Sequence, residues 1–260
     1  VKAPSFGYAK PRTLPEAFEL LERDGAKVLA GGQSLIPSLN MRLSAPSLLV
    51  DITGVPGLRG ITLEQGVVRI GALTTHTDIE RSAEVGTHVP LLADAVQQVA
   101  HPAIRNRGTL GGSIALADPA AEYPACLVAL DATIVVRSKD GERLVRAEDF
   151  FRGLFEVDLR PGELVAAVEI AALLKDERQA FLELARRQGD YAIVGLAAVS
   201  RAAGKRIAFF AIGGKPALIE SASLEAAKAA IPAPAADLYH SSATKLHLAK
   251  TLLERAWKAL

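Results

Sequence analysis

Cysteine is nearly absent: one residue, Cys126, in a chain of 260. A lone thiol can neither close an internal disulfide nor hold an iron–sulfur cluster. Its apolar setting, YPACLVAL, points to a buried structural thiol rather than a reactive one. Aromatic residues make up only 5% of the chain, too few for a base-stacking surface. No long Lys/Arg run stands out and the formal net charge is +1, so nothing suggests the electrostatic footprint of a nucleic-acid binder. No stretch of about 18 consecutive apolar residues is present, and the opening VKAPSFGYAK carries no signal-peptide core. A cytoplasmic protein without a membrane span is the expectation. His76, His88, His101, His240 and His247 fall at no zinc-ligand spacing, so no metal site is expected. No nucleophile–base pair stands out, and no catalytic residue is assigned.

What is present is an ordinary globular balance, 50% apolar and 23% charged, long enough for two or three modules. TLPEAFELLERDG has helical apolar spacing, with Thr13 as N-cap, Glu16 placed as in a capping box, and Gly25 as the stop. AKVLAGG reads as a short buried strand, SLIPSLNMRL as a helical turn, and SLLVDIT as another strand. GLRGITLEQGVVRIGALTT alternates around Glu64-Gln65-Gly66, a hairpin signal. THTDIERSAEV and VPLLADAVQQVA read as helices. Residues 101–125, rich in Gly, Pro, Arg and Asn, read as a long irregular stretch. Two strands flank Asp140-Gly141, and GELVAAVEI is a further strand. LLKDERQ is a charged connector. Beyond it AFLELARR, YAIVGLAAVSR and KRIAFFAIGG read as three antiparallel strands, followed by two helices, a small α+β module.

Two glycine doublets draw attention, in AGGQSL (30–35) and TLGGSI (109–114). Glycine reaches positive φ at low cost and lets backbone approach a ligand closely. Successive N–H groups can then form an anion-binding nest, and a diphosphate could be held between two of them, with Ser34 and Ser113 as extra donors. A tight turn with no ligand is the other reading of each doublet. Neither is a Walker A or a Rossmann fingerprint, since no Gly-Lys-Ser/Thr follows and the G-x-G-x-x-G spacing is absent. Gly32 and Gly112 are both expected at positive φ.

The flanking blocks GGQSLIPSLNMRL, IGALTTHTDIE, HPAIRNRGTLGGSIALADPAAEYPA, DFFRGLFEVDLRPGELVAAVEI and RRQGDYAIVGLAAV occur in order across nearly the whole chain. Together they resemble the FAD-binding medium subunit of the molybdenum hydroxylases, the family of carbon monoxide dehydrogenase, quinoline oxidoreductase and xanthine dehydrogenase. The resemblance implies an α+β, vanillyl-alcohol-oxidase-like (PCMH-type) fold. Its parts would be two α/β FAD-binding subdomains, 1–56 and 57–174, and a C-terminal α+β domain, 175–260, with a three-stranded antiparallel sheet. It implies non-covalent FAD, with the diphosphate at Ala30, Gly31, Gly32, Gln33, Ser34 and Leu35 on one side. Thr109, Leu110, Gly111, Gly112 and Ser113 would lie on the other.

Further residues follow from the same resemblance. His76 either approaches the flavin, belongs to a helix cap through its neighbours Thr74 and Thr75, or is a hydrogen-bonded structural histidine. Arg105 and Arg107 either bind the diphosphate or serve structure or a subunit interface, the latter favoured because this family uses mainly backbone donors. Glu122 stands where relatives have an Asp that hydrogen-bonds FAD, and Asp118 is a candidate helix cap. Leu164 and Val165 fall on a strand whose apolar side chain touches the isoalloxazine ring, plain core packing being the alternative. Glu183 stands where many relatives have a Lys, so either the flavin potential is tuned differently or Glu183 points to solvent. Tyr191 resembles a tyrosine that covers the ring.

The resemblance implies a role in electron transfer. A large subunit would hold the molybdenum cofactor, and a small subunit two [2Fe–2S] clusters. The FAD here would pass electrons to an external acceptor, in a dimer of heterotrimers. Two alternatives are a self-contained FAD-dependent oxidase, for which 176–260 is a small substrate domain, and an interaction subunit that has lost FAD, against which both doublets are intact.

Overall fold

Thr13 opens the first helix as its composition predicts. Its hydroxyl accepts the Glu16 N–H at 3.3 Å, and Pro15 sits in the first turn, where no N–H is required. The Glu16 carboxylate accepts the Arg12 N–H at 2.8 Å, not that of Thr13, so the reciprocal half of the box is displaced by one residue. The computed structural model describes residues 2–202 and 204–260.

The first unit runs β1 (Gly7–Ala9), α1 (Leu14–Leu21), β2 (Ala26–Leu29), α2 (Leu35–Asn40) and β3 (Leu48–Asp51). The strands are parallel in the order β1-β3-β2. Central β3 is buried at all four positions; β2, expected as buried, is an edge strand and only half-covered. The first glycine doublet therefore lies at the C-terminal end of a parallel strand, the side on which α/β sheets take ligands.

The second unit opens with the expected hairpin, β4 (Ile61–Glu64) and β5 (Val67–Gly71). Gln65 (φ +50°) and Gly66 (φ +78°) supply its two left-handed turn positions. Six helices follow: α3 (His76–Glu80), α4 (Ala83–His88), α5 (Pro90–Val96), α6 (Pro102–Arg105), α7 (Leu110–Leu116) and α8 (Glu122–Ala129). Then come β6 (Thr133–Ser138), β7 (Gly141–Arg146), α9 (Ala147–Phe150), β8 (Phe151–Gly153), β9 (Glu156–Val157) and β10 (Leu164–Ala171). The five-stranded sheet is antiparallel in the order β4-β5-β10-β6-β7.

Residues 101–125 are not irregular, contrary to the sequence expectation. They hold α6, α7 and the start of α8. Their breakers fall where a helix tolerates them: Pro102 is the first residue of α6, Pro124 is in the first turn of α8, and Gly111 and Gly112 are in the first turn of α7.

The third unit contains β11 (Arg178–Leu184), β12 (Val194–Arg201), β13 (Gly204–Phe210) and β14 (Ala217–Ser221), then α10 (Leu224–Ala230) and α11 (Ser242–Ala259). The three expected strands are antiparallel, but β14 adds a fourth at the edge, so the three-stranded sheet becomes β11-β12-β13-β14. Short, half-buried ALIES lacks the apolar run that reveals its neighbours.

Both faces of this last sheet are covered. Leu196, Ala198, Ile207 and Phe209 pack with Ala249, Leu252 and Leu253 of α11. Ala197, Val199, Ala208 and Phe210 join the core that holds α5 and α8. Burial on two faces explains why β12 and β13 read as continuous apolar runs rather than alternating ones. The five-stranded sheet is double-faced too. Leu164, Ala166 and Val135 pack with Phe18 and Val50 of the first unit, while Val165, Val168 and Ile134 join the helical core. Among the described residues no helix is long and apolar enough to cross a membrane, and no group of three or more His, Cys, Asp or Glu could hold a metal ion.

Candidate cofactor site

The first glycine doublet has the expected backbone conformation. Gly32 lies at φ +72°, where L side chains are strained. The turn leads into α2, and the N–H groups of Gly32, Gln33, Ser34 and Leu35 donate no hydrogen bond to another described residue. The Gln33 side chain folds back, donating Nε2–H to the Gly31 carbonyl at 3.0 Å. The Ser34 hydroxyl is exposed and does not cap the helix. Gly31 is needed for a different reason. A Cβ placed on it would lie 2.1 Å from the Arg107 carbonyl oxygen and 2.9 Å from Gly108 Cα. The first turn is thus pressed backbone to backbone against the segment leading into the second doublet.

The second doublet corrects the sequence reading. It is not a loop nest, and Gly112 is not at positive φ, since both glycines are helical. Its amides are already used. Leu110 N–H donates to the Thr74 carbonyl, Gly111 N–H to Ala72, Gly112 N–H to Thr109 Oγ1 and Ser113 N–H to the Thr109 carbonyl. Gly111 serves close packing, because a Cβ there would meet Ala72 Cβ at 2.5 Å. Thr109, in contrast, faces the space beside the first turn.

Two adjoining grooves meet at this contact. The smaller, about 240 Å³, is bounded by Ala30, Gly31, Arg59, Thr75, Arg107 and Thr109. The larger, about 540 Å³, is bounded by Lys10, Gly32, Gln33 and Asp51, with Ala30, Gly31, Thr53 and Arg107 common to both. Asp51 is 7% exposed and fully engaged: it accepts from Tyr8 Oη at 2.5 Å, Thr53 N at 2.9 Å and Thr53 Oγ1 at 2.6 Å. Burial opposes its ionisation, but Thr53, Tyr8 and the Lys10 ammonium outweigh that and hold the carboxyl below its usual range. Lys10, Arg59 and Thr53 were not singled out from sequence. Thr75 is the N-cap of α3, in a full capping box with Asp78.

Arg105 is structural, as expected. It pairs with Glu80 and donates to the Val99 and Ala100 carbonyls at 3.1 and 3.2 Å. His76 does not line either groove. It is 5% exposed, donates its backbone N–H to the Gly108 carbonyl at 3.0 Å, and braces Gly108 with its ring, where a Cβ would fall 2.6 Å from Nε2. On its other side lies the Tyr123 ring, 5.4 Å away between centroids. Burial first, then the Arg105 guanidinium, pushes the imidazole down to about 4, so it is neutral near pH 7. Its role is to support the Gly108 peptide from behind.

A second cluster lies between the second and third units. Glu122 opens α8, and Glu183 projects from β11 on the same face as Gln179 and Phe181, toward the helical core. Glu183 does not point to solvent: Oε2 is buried without a partner. Desolvation, then the Glu122 charge, pushes its carboxyl up to about 8. Glu122 is raised to about 7 by burial, with Asp118 adding to it. Neither carboxyl has a cationic partner among the described residues. Tyr191, 76% exposed in the β11–β12 loop, has its phenol raised by partial desolvation and then by the Asp118 and Glu122 charges. Asp118 caps a turn, accepting the Ala120 N–H at 2.9 Å, rather than the helix itself. Cys126 is fully buried, and burial, then Glu122, Asp94 and Glu183, keeps its thiol protonated. Leu164 and Val165 are 3% and 5% exposed and enter different cores on opposite sheet faces, so the two cannot both touch one ring.

A turn with free amides beside a groove can accommodate an anion, and comparison with known proteins gives the family. Residues 4–172 match the family model described as FAD binding domain in molybdopterin dehydrogenase. The chain belongs to this family. The FAD-binding chain is 36% identical to the carbon monoxide dehydrogenase medium chain of Hydrogenophaga pseudoflava, an alignment covering 98% of this chain and 97% of that one. It is 45% identical to the 6-hydroxypseudooxynicotine dehydrogenase complex subunit alpha of Paenarthrobacter nicotinovorans, over 76% of this chain and 68% of that one. The structure of quinoline 2-oxidoreductase from Pseudomonas putida 86 superposes with a TM-score of 0.92 at 36% identity, covering 100% of this chain and 98% of the other. The fold of this FAD-binding chain is therefore the PCMH-type fold of those medium chains, and it is an oxidoreductase subunit of the molybdenum hydroxylases.

Proposed function

We propose that this chain holds FAD non-covalently, with the diphosphate seated on the first glycine turn. It would accept electrons from the [2Fe–2S] clusters of a small partner subunit. A large subunit would carry the molybdenum cofactor and the substrate, in a complex that pairs two heterotrimers. The observation that carries this reading is the run of free amides at Gly32, Gln33, Ser34 and Leu35, beside Gly31 clamped to Arg107. Such a preorganised set of donors suits an anion and leaves no room for a side chain. From the second segment, Asn106, Arg107 and Thr109 border the same space. FAD, when bound, supplies the two-electron chemistry. The chain's own residues bind and orient it. Gly31 and Gly32 admit the diphosphate, His76 stiffens the opposite wall, and Glu122, Glu183 and Tyr191 form the polar end between the second and third units.

Purification of the native protein tests the reading. Yellow protein accompanied by an iron–sulfur subunit and a molybdenum subunit is expected. Yellow protein that turns over a substrate alone would refute it. Gly32→Val should abolish FAD binding, since a β-branched residue at φ +72° is strained and would crowd Ile36 and Leu29 at 3.1 and 3.3 Å. Stoichiometric FAD in that variant would show that the turn does not hold the diphosphate.

A further inference from the structure

Three cations border the grooves: Lys10, Arg59 and Arg107. Two are already neutralised. Arg59 is held by Asp78, with Nε at 3.0 Å and the closest approach 2.7 Å. Lys10 lies 3.4 Å from the buried Asp51 carboxylate. The Arg107 side chain is exposed and has neither a carboxylate nor a hydrogen-bond partner among the described residues. It borders both grooves, whereas Lys10 and Arg59 border one each. Its position is also fixed. The Arg107 carbonyl is packed against Gly31, its N–H donates to Ile104 at 3.1 Å, and the next peptide is braced by His76. An unpartnered arginine on a well-packed backbone thus borders the same groove as Gly32 and Gln33, in the segment whose own glycine amides are all occupied.

We infer that Arg107 is a direct ionic ligand of the FAD diphosphate, supplying from the second segment the positive charge that its doublet's amides do not. The inference rests on the first turn holding the diphosphate. A planar guanidinium can donate two parallel hydrogen bonds to phosphate oxygens, and the other two groove cations already share their charge with a carboxylate. The two contributions differ in kind: the first turn gives shape and neutral donors, and Arg107 gives charge and therefore salt sensitivity.

The test uses the apo form of the full chain, titrated with FAD and, separately, with ADP, which carries the diphosphate without the flavin ring. Arg107→Gln should weaken both ligands about ten- to a hundred-fold, the span for losing a charge-assisted hydrogen bond. It should also flatten the loss of affinity with added salt, while the thermal midpoint of the apo chain stays that of the parent. Arg107→Lys should recover part of the affinity and all of the salt dependence. Binding of FAD and ADP by Arg107→Gln within two-fold of the parent, with unchanged salt dependence, would overturn the assignment. Gly32→Val separates the two ideas. If it loses FAD while Arg107→Gln does not, only the arginine's role falls; if it keeps FAD, the loop reading falls.

Discussion

Replacing Glu183 by glutamine removes one charge from the carboxyl pair between the second and third units while keeping its shape. In the folded apo chain the Glu183 carboxyl is raised from 4.5 to about 8 by desolvation and by Glu122. A raised carboxyl binds its proton more tightly in the folded state than in the unfolded one. Its cost is therefore absent below about pH 4.5, grows as the pH rises, and is complete above about 8. At about 1.36 kcal/mol per pH unit, an unscreened group would lose about 5 kcal/mol across that window. Solvent reaches part of this side chain and screens it, leaving about 1–2 kcal/mol. Glutamine does not titrate, so Glu183→Gln should match the parent near pH 5 and exceed it near pH 8.5 by that amount. In a chain of this size that is about 2–8 °C in thermal midpoint. Denaturant unfolding of the apo chain at both pH values measures the difference. If the parent and the variant lose the same stability between pH 5 and 8.5, the buried, unpaired carboxyl is not where its energetics place it.

His76 acts in the opposite pH direction. Its imidazole is lowered to about 4, so the unfolded chain takes up a proton below about pH 6.5 that the folded chain refuses. Stability falls with pH down to about 4, by as much as about 3 kcal/mol, and His76→Leu should reduce that slope in acid unfolding. Gly31→Ala places a methyl 2.1 Å from the Arg107 carbonyl oxygen. No positive φ is involved, so the whole effect is separation of the two segments, costing about 1–3 kcal/mol in unfolding free energy. FAD should be lost on gel filtration, and retention of both stability and FAD would show that the segments are not in contact.

Local chemistry was largely legible. The two-residue hairpin turn at Gln65-Gly66, the Thr13 cap and the left-handed Gly32 each depend on neighbours within a few residues, so their sequence signals were sufficient. The stretch 101–125 misled because proline and glycine were counted as breakers without asking whether they stood in a first helical turn. β14 was missed because a half-covered edge strand needs no apolar run.

The sequence by itself determined that the chain carries a Gly-Gly turn able to present its backbone, a single inert thiol, and an ordered set of blocks marking its family. Tertiary structure alone decided what each residue is free to do. Two doublets that look alike in sequence differ because Thr74, Ala72 and Thr109 consume the amides of one, and no described residue consumes those of the Gly32–Leu35 turn. Arg59, Lys10 and Arg107 are equivalent cations on paper, yet folding brings Asp78 to the first and Asp51 to the second, while Arg107 has no side-chain partner among the described residues. Glu122 and Glu183 become a coupled pair only when the third unit's sheet packs on α8. In each case the deciding quantity is whether a polar group already has a partner, and partners are set by contacts far apart in the chain.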